Sequence, residues 1–295
     1  MIYIDFILAG LATGSIYALV AVGLTLIYGV SRVVNVAHGD FLAVGAFCLV
    51  VWSTAGLNDG PLGAVPALVV AALLGAALGA LVEKLLVRPV LASRVEAERR
   101  VLVLTLGLSI VMSASLLLIF GPRFYQAPFL VTGVVQIGGL QVSSQRLAIF
   151  ILGGAVIVGL AAFLKYTRYG IAIRAVADSV DSAMAAGIRI RRVYMATFAL
   201  GTCLAAIAGV LIAPVASAFP SMGFAFTIKA FVVVIVGGLG SIPGALIASY
   251  ALGVVESLSI LVLPTGYASV IGPLAMLVAL LVRPWGLLGA KETRF

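Results

Sequence analysis

Two places in this 295-residue sequence set ionisable or strongly polar side chains inside long apolar runs. The first is IYGVSRVVNVAHGDFLAVGAF, 27–47, where Arg32, Asn35, His38 and Asp40 interrupt an apolar run, with Gly29 and Gly39 as breakers. The second is Lys229 and Glu256, each alone among apolar neighbours. Polar groups at such depth are costly unless they face protein or water. Two readings of 27–47 stand. It lines or gates a pathway, or it is a short turn with Arg32 and Asp40 at the membrane interface. Lys229 either pairs with Glu256 or extends its aliphatic stem to bring the ammonium to the interface, and the second is favoured. A proton-coupled carrier is poorly supported, because no chain of several buried acids accompanies them.

Catalysis finds little footing. His38 is the sole histidine, so no second imidazole exists for a zinc site. The serines have no positioned base, and the apolar runs hold no Ser–His or Asp–Asp pair. Cys48 and Cys203 lie in separate apolar runs and read as small buried residues. The expectation is therefore no enzyme, no metal and no cofactor.

GGLGSIPG, 237–244, resembles a phosphate loop only in its glycines, since no Lys-Ser/Thr follows. A tight turn or helix break whose free backbone groups line a cavity suits it better. The breaks at 27–47 and 229–250 fall in opposite halves of the chain, and paired interruptions of this kind point to a transport site. The pathway candidates are Asn35, His38, Gly39, Asp40, Gly237, Gly238, Gly240, Ser241 and Gly244.

The polar exception is Lys165–Arg192, with basic residues at 165, 168, 174, 189, 191 and 192. Val176, Val180, Ala183 and Met184 share one helical face, and Arg174, Asp178 and Asp181 follow helical spacing on another. Asp178 suits the N-cap of a shorter helix, and Gly187 suits a left-handed C-cap. A capped polar helix between spans reads as a handle for a partner.

The elements that must position these residues are set by composition. The chain is 63% hydrophobic and 9% charged, against about 25% charged in soluble domains. Long uncharged runs, each near or above the ~20 residues a crossing needs, define an all-α polytopic membrane protein with no soluble domain. Spans are expected near 6–28, 39–53, 62–83, 101–120, 146–164, 193–213, 225–241, 245–262 and 266–282, with Pro214 ending the sixth. Asn58–Pro61 is expected as a loop, 83–100 as a charged loop, and Val134–Val142 as a β-ribbon or surface loop. Gly10 and Gly14 form a G-x-x-x-G packing face, and Gly75 and Gly79 add another. The first run is expected to be a retained span, because it lacks the basic start of a signal peptide.

The net charge of +8 does not indicate nucleic-acid binding, because the basic residues sit beside span ends in the positive-inside pattern. Placing 84–100, 165–192 and the tail with Lys291 and Arg294 in the cytoplasm leaves 121–145 outside. Three crossings before residue 84 would put the first span's start outside. The short second candidate instead favours, narrowly, about eight crossings plus a re-entrant or broken element.

GLTLIYGVSRVVNVAHGDFLAVGAF (23–47), RAVADSVDSAMAAGI (174–188) with TFALGTCLAAIAGVL (197–211), and VIVGGLGSIPGALI (234–247) together resemble the permeases of branched-chain amino acid ABC importers, and more narrowly the shorter of two sister permeases. The resemblance spans nearly the whole chain, 1–295, as one permease domain in the bacterial cytoplasmic (inner) membrane. It implies a heterodimer with a sister permease, two cytoplasmic ATPase subunits and an external solute-binding protein. The loop 165–192 would dock on the ATPases, with Arg174, Asp178, Asp181, Ser182, Ala183, Met184 and Gly187 as coupling residues. Asp181-Ser182-Ala183 stands where the coupling motif has Glu-Ala-Ala. Relatives that carry urea or short amides leave the solute open, and a stand-alone channel or secondary carrier is the competing class.

Overall fold

The computed structural model describes residues 2–57, 63–93, 96–137, 140–262, 270–283 and 285–289. The Asn58–Pro61 loop, the first residues of the last expected span, Lys291 and Arg294 lie outside the described residues.

Helix α1 (Ile2–Ser31) runs through the centre of the molecule. It is followed by α2 (His38–Thr54), α3 (Ala64–Val82), a π turn at Glu83–Val87, α4 (Arg88–Ala92) and α5 (Ala97–Phe120). A hairpin of β1 (Val134–Ile137) and β2 (Leu140–Ser143) leads into α6 (Ser144–Tyr166). Then come α7 (Arg168–Asp178), α8 (Val180–Ala185), α9 (Ile190–Ala216), α10 (Met222–Gly237), α11 (Ile242–Ser259) and α12 (Ile271–Val282). Six of the described helices are long and apolar enough to cross a membrane, and α2, α10 and α12 are shorter apolar helices. The all-α polytopic expectation holds, and the ribbon expected within 134–142 forms, with Val134 opposite Ser143 and Val135 opposite Val142.

Small residues explain the close packing. In lipid, burying apolar surface gives little drive, so helices associate where their backbones can approach. Gly10 faces the α11 backbone, where an added Cβ would lie 2.6 Å from Val254 Cα. Gly75 faces α9, where a Cβ would meet Ala206 Cβ at 2.6 Å, and Thr202 Oγ1 donates to Gly75 O at 2.8 Å. Gly23 on α1 and Gly201 on α9 face each other. Both expected packing faces are used.

Three local expectations change. Residues 83–92 are not a loop. Helix α3 continues through the π turn into α4, because Glu83 is buried and Arg88 clamps it with Nε and Nη2 at 3.1 and 2.6 Å. Pro214 does not end the sixth span; α9 carries it inside and stops at Ala216. Gln126 Nε2 donates to Pro214 O at 3.1 Å there. Finally, α2 does not turn back. Its start lies beside the middle of α1, where His38 Nε2 meets Val20 O at 3.1 Å. Its later part reaches the other end of α5, where Phe47 stacks on Phe120 with centroids 4.3 Å apart and meets Tyr125 edge-on.

These contacts define two ends. At the ribbon end lie the start of α1, the end of α5, the hairpin and the start of α6. At the basic end lie Gly29 of α1, α7 and the turn at 237–244, which share a cavity. So α1 starts at the ribbon end, as in the three-crossing arrangement. Of the two forms expected for the second element, re-entrant or broken, the structure has the broken one: residues 32–37 are not helical.

Candidate functional site

The break after α1 follows from simple lengths. From Val20 to Ser31, α1 advances about 16 Å at 1.5 Å per residue. The segment 32–37, if extended, spans roughly 20 Å, enough to bring His38 back beside Val20. Arg32 begins the return with φ of 55°, its side chain exposed. Asp40 does not sit at the interface; Asn35, His38, Gly39 and Asp40 are all fully buried or nearly so. The turn reading is thus replaced by a polar break at depth.

A second break mirrors the first. Helix α9 ends, Ser217 takes φ of 52°, and a short segment leads to α10. The first turns of α2 and α10 overlap. Gly39 N donates to Thr227 Oγ1 at 2.9 Å, and Thr227 Oγ1 lies 3.1 Å from Val36 O. A Cβ on Gly223 would lie 2.5 Å from Asp40 Oδ1. Asp40 therefore places its carboxyl group where the first turns of two helices converge. Ser109 of α5 is its polar side-chain neighbour. Thr105 Oγ1 accepts from Val36 N at 3.1 Å, and α5 thereby holds the return segment as well. The structural counterpart of the first break is thus 217–227, not 229–250.

The glycine turn expected at 237–244 is built as follows. Gly238 and Gly240 have φ of 105° and 82°, which glycine alone adopts freely. Gly237 and Gly244 are in such close contact that neither has room for a Cβ. Ser241 caps α11 by accepting from Gly244 N at 3.2 Å, and Pro243 follows in the first turn. Gly237, Gly238 and Gly244 are thus positions of a tight helix turn. Gly240 and Ser241 face a cavity of about 420 Å³ shared with Arg174 and Asp178 of α7 and Gly29 of α1. Four residues assigned to two different roles by sequence meet in one place.

The polar loop folds as two short helices rather than one. Thr167 caps α7 through Gly170 N at 3.0 Å. Ser179, with φ of −154°, separates α7 from α8 and caps α8 through Ser182 N at 3.2 Å. The expected cap, Asp178, is one residue too early and ends α7 instead. Gly187 at φ of 79° closes α8 as expected. Gly187 N donates to Met184 O and Ile188 N to Ala183 O, the paired bonds of a Schellman ending. Ile173, Val176 and Ala183 face inward, whereas Asp181, Ser182, Met184 and Gly187 are exposed. Met184 therefore leaves the shared face that its spacing suggested, because the break re-aims the second helix.

Lys229 pairs with Glu256, correcting the expectation that it reaches the interface. Lys229 Nζ lies 2.5 Å from Glu256 Oε1 and 2.6 Å from Tyr17 OH, and Tyr17 OH donates to Glu256 Oε2 at 2.5 Å. Sequence reasoning passed over Tyr17 and Thr227, uncharged polar groups within long apolar runs. It also missed the Ser179 cap, which the Ser179-x-x-Ser182 spacing could have signalled.

A broken helix pair at depth, a tight glycine turn and an exposed capped helix are the features the fold brings forward. Residues 6–281 match the family described as branched-chain amino acid transport system / permease component. The chain belongs to this permease family. It is 33% identical to the high-affinity branched-chain amino acid transport system permease protein LivH of Escherichia coli K12, over 96% of this chain and 94% of that protein. It is 31% identical to BraD of Pseudomonas aeruginosa, a high-affinity branched-chain amino acid transport system permease protein, over 98% and 97%. A probable branched-chain amino acid transport permease protein LivH of Methanocaldococcus jannaschii is 29% identical over 93% and 89%. No solved structure matches. The permease is a multi-pass membrane protein, and its family is one of transporter components rather than enzymes.

Proposed function

We propose that this chain is the membrane-spanning permease subunit of an ABC importer that moves branched-chain amino acids into the cytoplasm of a bacterium. Its basic end faces the cytoplasm, in keeping with the positive-inside rule. ATP is hydrolysed on two partner subunits, a sister permease completes the pathway, and an external binding protein delivers the solute at the ribbon end.

The observation that carries this reading is α8. Six residues of helix carry a side-chain cap at one end and a Schellman ending at the other, and stand exposed on the basic end. An isolated helix this short does not persist in water. A channel has no need to hold one rigidly there, but a coupling element does. Asp181, Ser182, Met184 and Gly187 form its outer surface, Ala183 seats it, and Arg174 and Asp178 connect it to the cavity beside Gly240 and Ser241. Force on α8 would reach α1 through α7, which packs against both. Gly39 and Asp40 hold α2 against α10, His38 ties α2 to α1, and Asn35 lies buried in the break before them.

The test is site-directed crosslinking and co-purification. Met184→Cys should crosslink to an ATPase subunit that carries an introduced cysteine, and charge reversal at Asp181 or Arg174 should reduce ATPase recovery while membrane insertion persists. Unaltered recovery in both reversal variants, with no crosslink, would remove the coupling role.

A further inference from the structure

The pair of Lys229 and Glu256 does more than close a polar gap. Tyr17 stands at the middle of α1, so the cluster lies at about half depth. Its two charged side chains retain 26% and 11% of their exposure. That exposure opens into a cavity of about 430 Å³ lined also by Thr13, Asp5 and Arg146. Asp5 lies in the first turn of α1 and Arg146 in the first turn of α6, both at the ribbon end. The cavity thus follows α1 for about 18 Å, twelve residues at 1.5 Å each. A second cavity of about 550 Å³ shares Asp5, Arg146 and Val215 with the first and reaches the hairpin through Gln141 and Val142. The two together form a polar route from the hairpin to the middle of the bundle.

Ile16, Ile149 and Ile212 give the first cavity an aliphatic wall. We infer that this inner cavity is the outward-facing binding site for an aliphatic, zwitterionic α-amino acid. Lys229 receives its carboxylate, Glu256 its ammonium, and the isoleucine wall its side chain. This rests on the importer reading above and names the place where the solute first meets this subunit.

The chemistry balances without net charge. A zwitterion entering between Lys229 and Glu256 replaces one internal ion pair by two, so neither protein charge is left unpartnered in a poorly solvated place. The lost internal pair offsets much of the gain. Affinity is therefore weak, as a pathway that must release its cargo requires. The cavity is within the roughly 300–1,000 Å³ range of small-molecule sites with a few convergent polar groups.

The experiment uses the chain with its partners in membrane vesicles, with Cys48 and Cys203 replaced by alanine and Thr13→Cys as the reporter. A charged, membrane-impermeant thiol reagent added at the ribbon side should label Thr13→Cys. Millimolar L-leucine should slow labelling severalfold, and equimolar urea should not. In the double variant Lys229→Gln with Glu256→Gln, which keeps hydrogen-bonding shape without charge, L-leucine should no longer protect, although the complex still elutes intact. Labelling that ignores L-leucine in the parent, or protection that survives in the double variant, overturns the site. Protection is read without ATP. A chain that binds L-leucine here but shows no ATP-driven uptake would therefore contradict the importer reading alone.

Discussion

At the scale of single residues, the break at depth depends on atoms with no room to spare. Gly39 lies against Gly223 O, and Thr227 fills the remaining space. A methyl at either glycine pushes on backbone or on the Asp40 carboxylate, neither of which can move aside cheaply. Gly39→Ala and Gly223→Ala should each destabilise the permease by about 1–3 kcal/mol, the range for overpacking. Gly107→Ala, where nothing lies within 4 Å, should be neutral or slightly stabilising in its helix. Melting curves of the three purified variants check this, and equal losses at all three would contradict the packing given for the break. Thr227→Val keeps the shape but removes the acceptor for Gly39 N, an unsatisfied donor costing about 1–3 kcal/mol. The sequence marks Asn35, His38 and Asp40 as unusual because polar groups stand out in apolar runs. It does not mark Thr227, whose role arises only when α10 meets α2, or Tyr17, whose role arises only when α10 and α11 meet α1.

At the scale of elements, the proposed function rests on two features: the pairing of α2 with α10, and the separation of α7 from α8. Periodicity could place apolar faces on 174–188, but not the one-residue break at Ser179, because an extended residue between short helices leaves the flanking pattern almost unchanged. Gly187 was legible since only one backbone geometry suits a glycine at that spot. The partner of the first break was not legible, because 217–221 carries no charge and 237–244 carries conspicuous glycines. Ser179→Ala removes the α8 cap, a loss of about 1 kcal/mol, and Gly187→Ala forces an alanine into the left-handed region at about 1–2 kcal/mol. Both should leave insertion and overall melting almost unchanged and lower uptake stimulated by ATP. If α8 is only a surface turn, uptake will match the parent in both variants.

At the scale of the whole molecule, the chain is a transport scaffold organised around α1. The hairpin, the start of α1 and the two polar cavities occupy one end; α7, α8 and the glycine turn occupy the other. That polarity gives a topology prediction. Gln136→Cys on β1 should react with an impermeant thiol reagent from outside intact cells, and Ala185→Cys on α8 only after the membrane is opened; both side chains are exposed. The fold class and the ends of most spans were legible because hydrophobic length is a strong signal. Orientation of the second element was not, since its 17 residues suit either a return or a broken crossing.

The central claim is that work done by ATPases enters at α8 and drives amino-acid import through this chain. Its most direct measurement is uptake of radiolabelled L-leucine into proteoliposomes holding the permease, its sister permease and the ATPases, with binding protein outside and ATP inside. Uptake should require ATP and the ATPases, and should fall at least tenfold when Asp181 is reversed to lysine. Equal uptake by this chain alone, with neither ATP nor partners, would contradict the account.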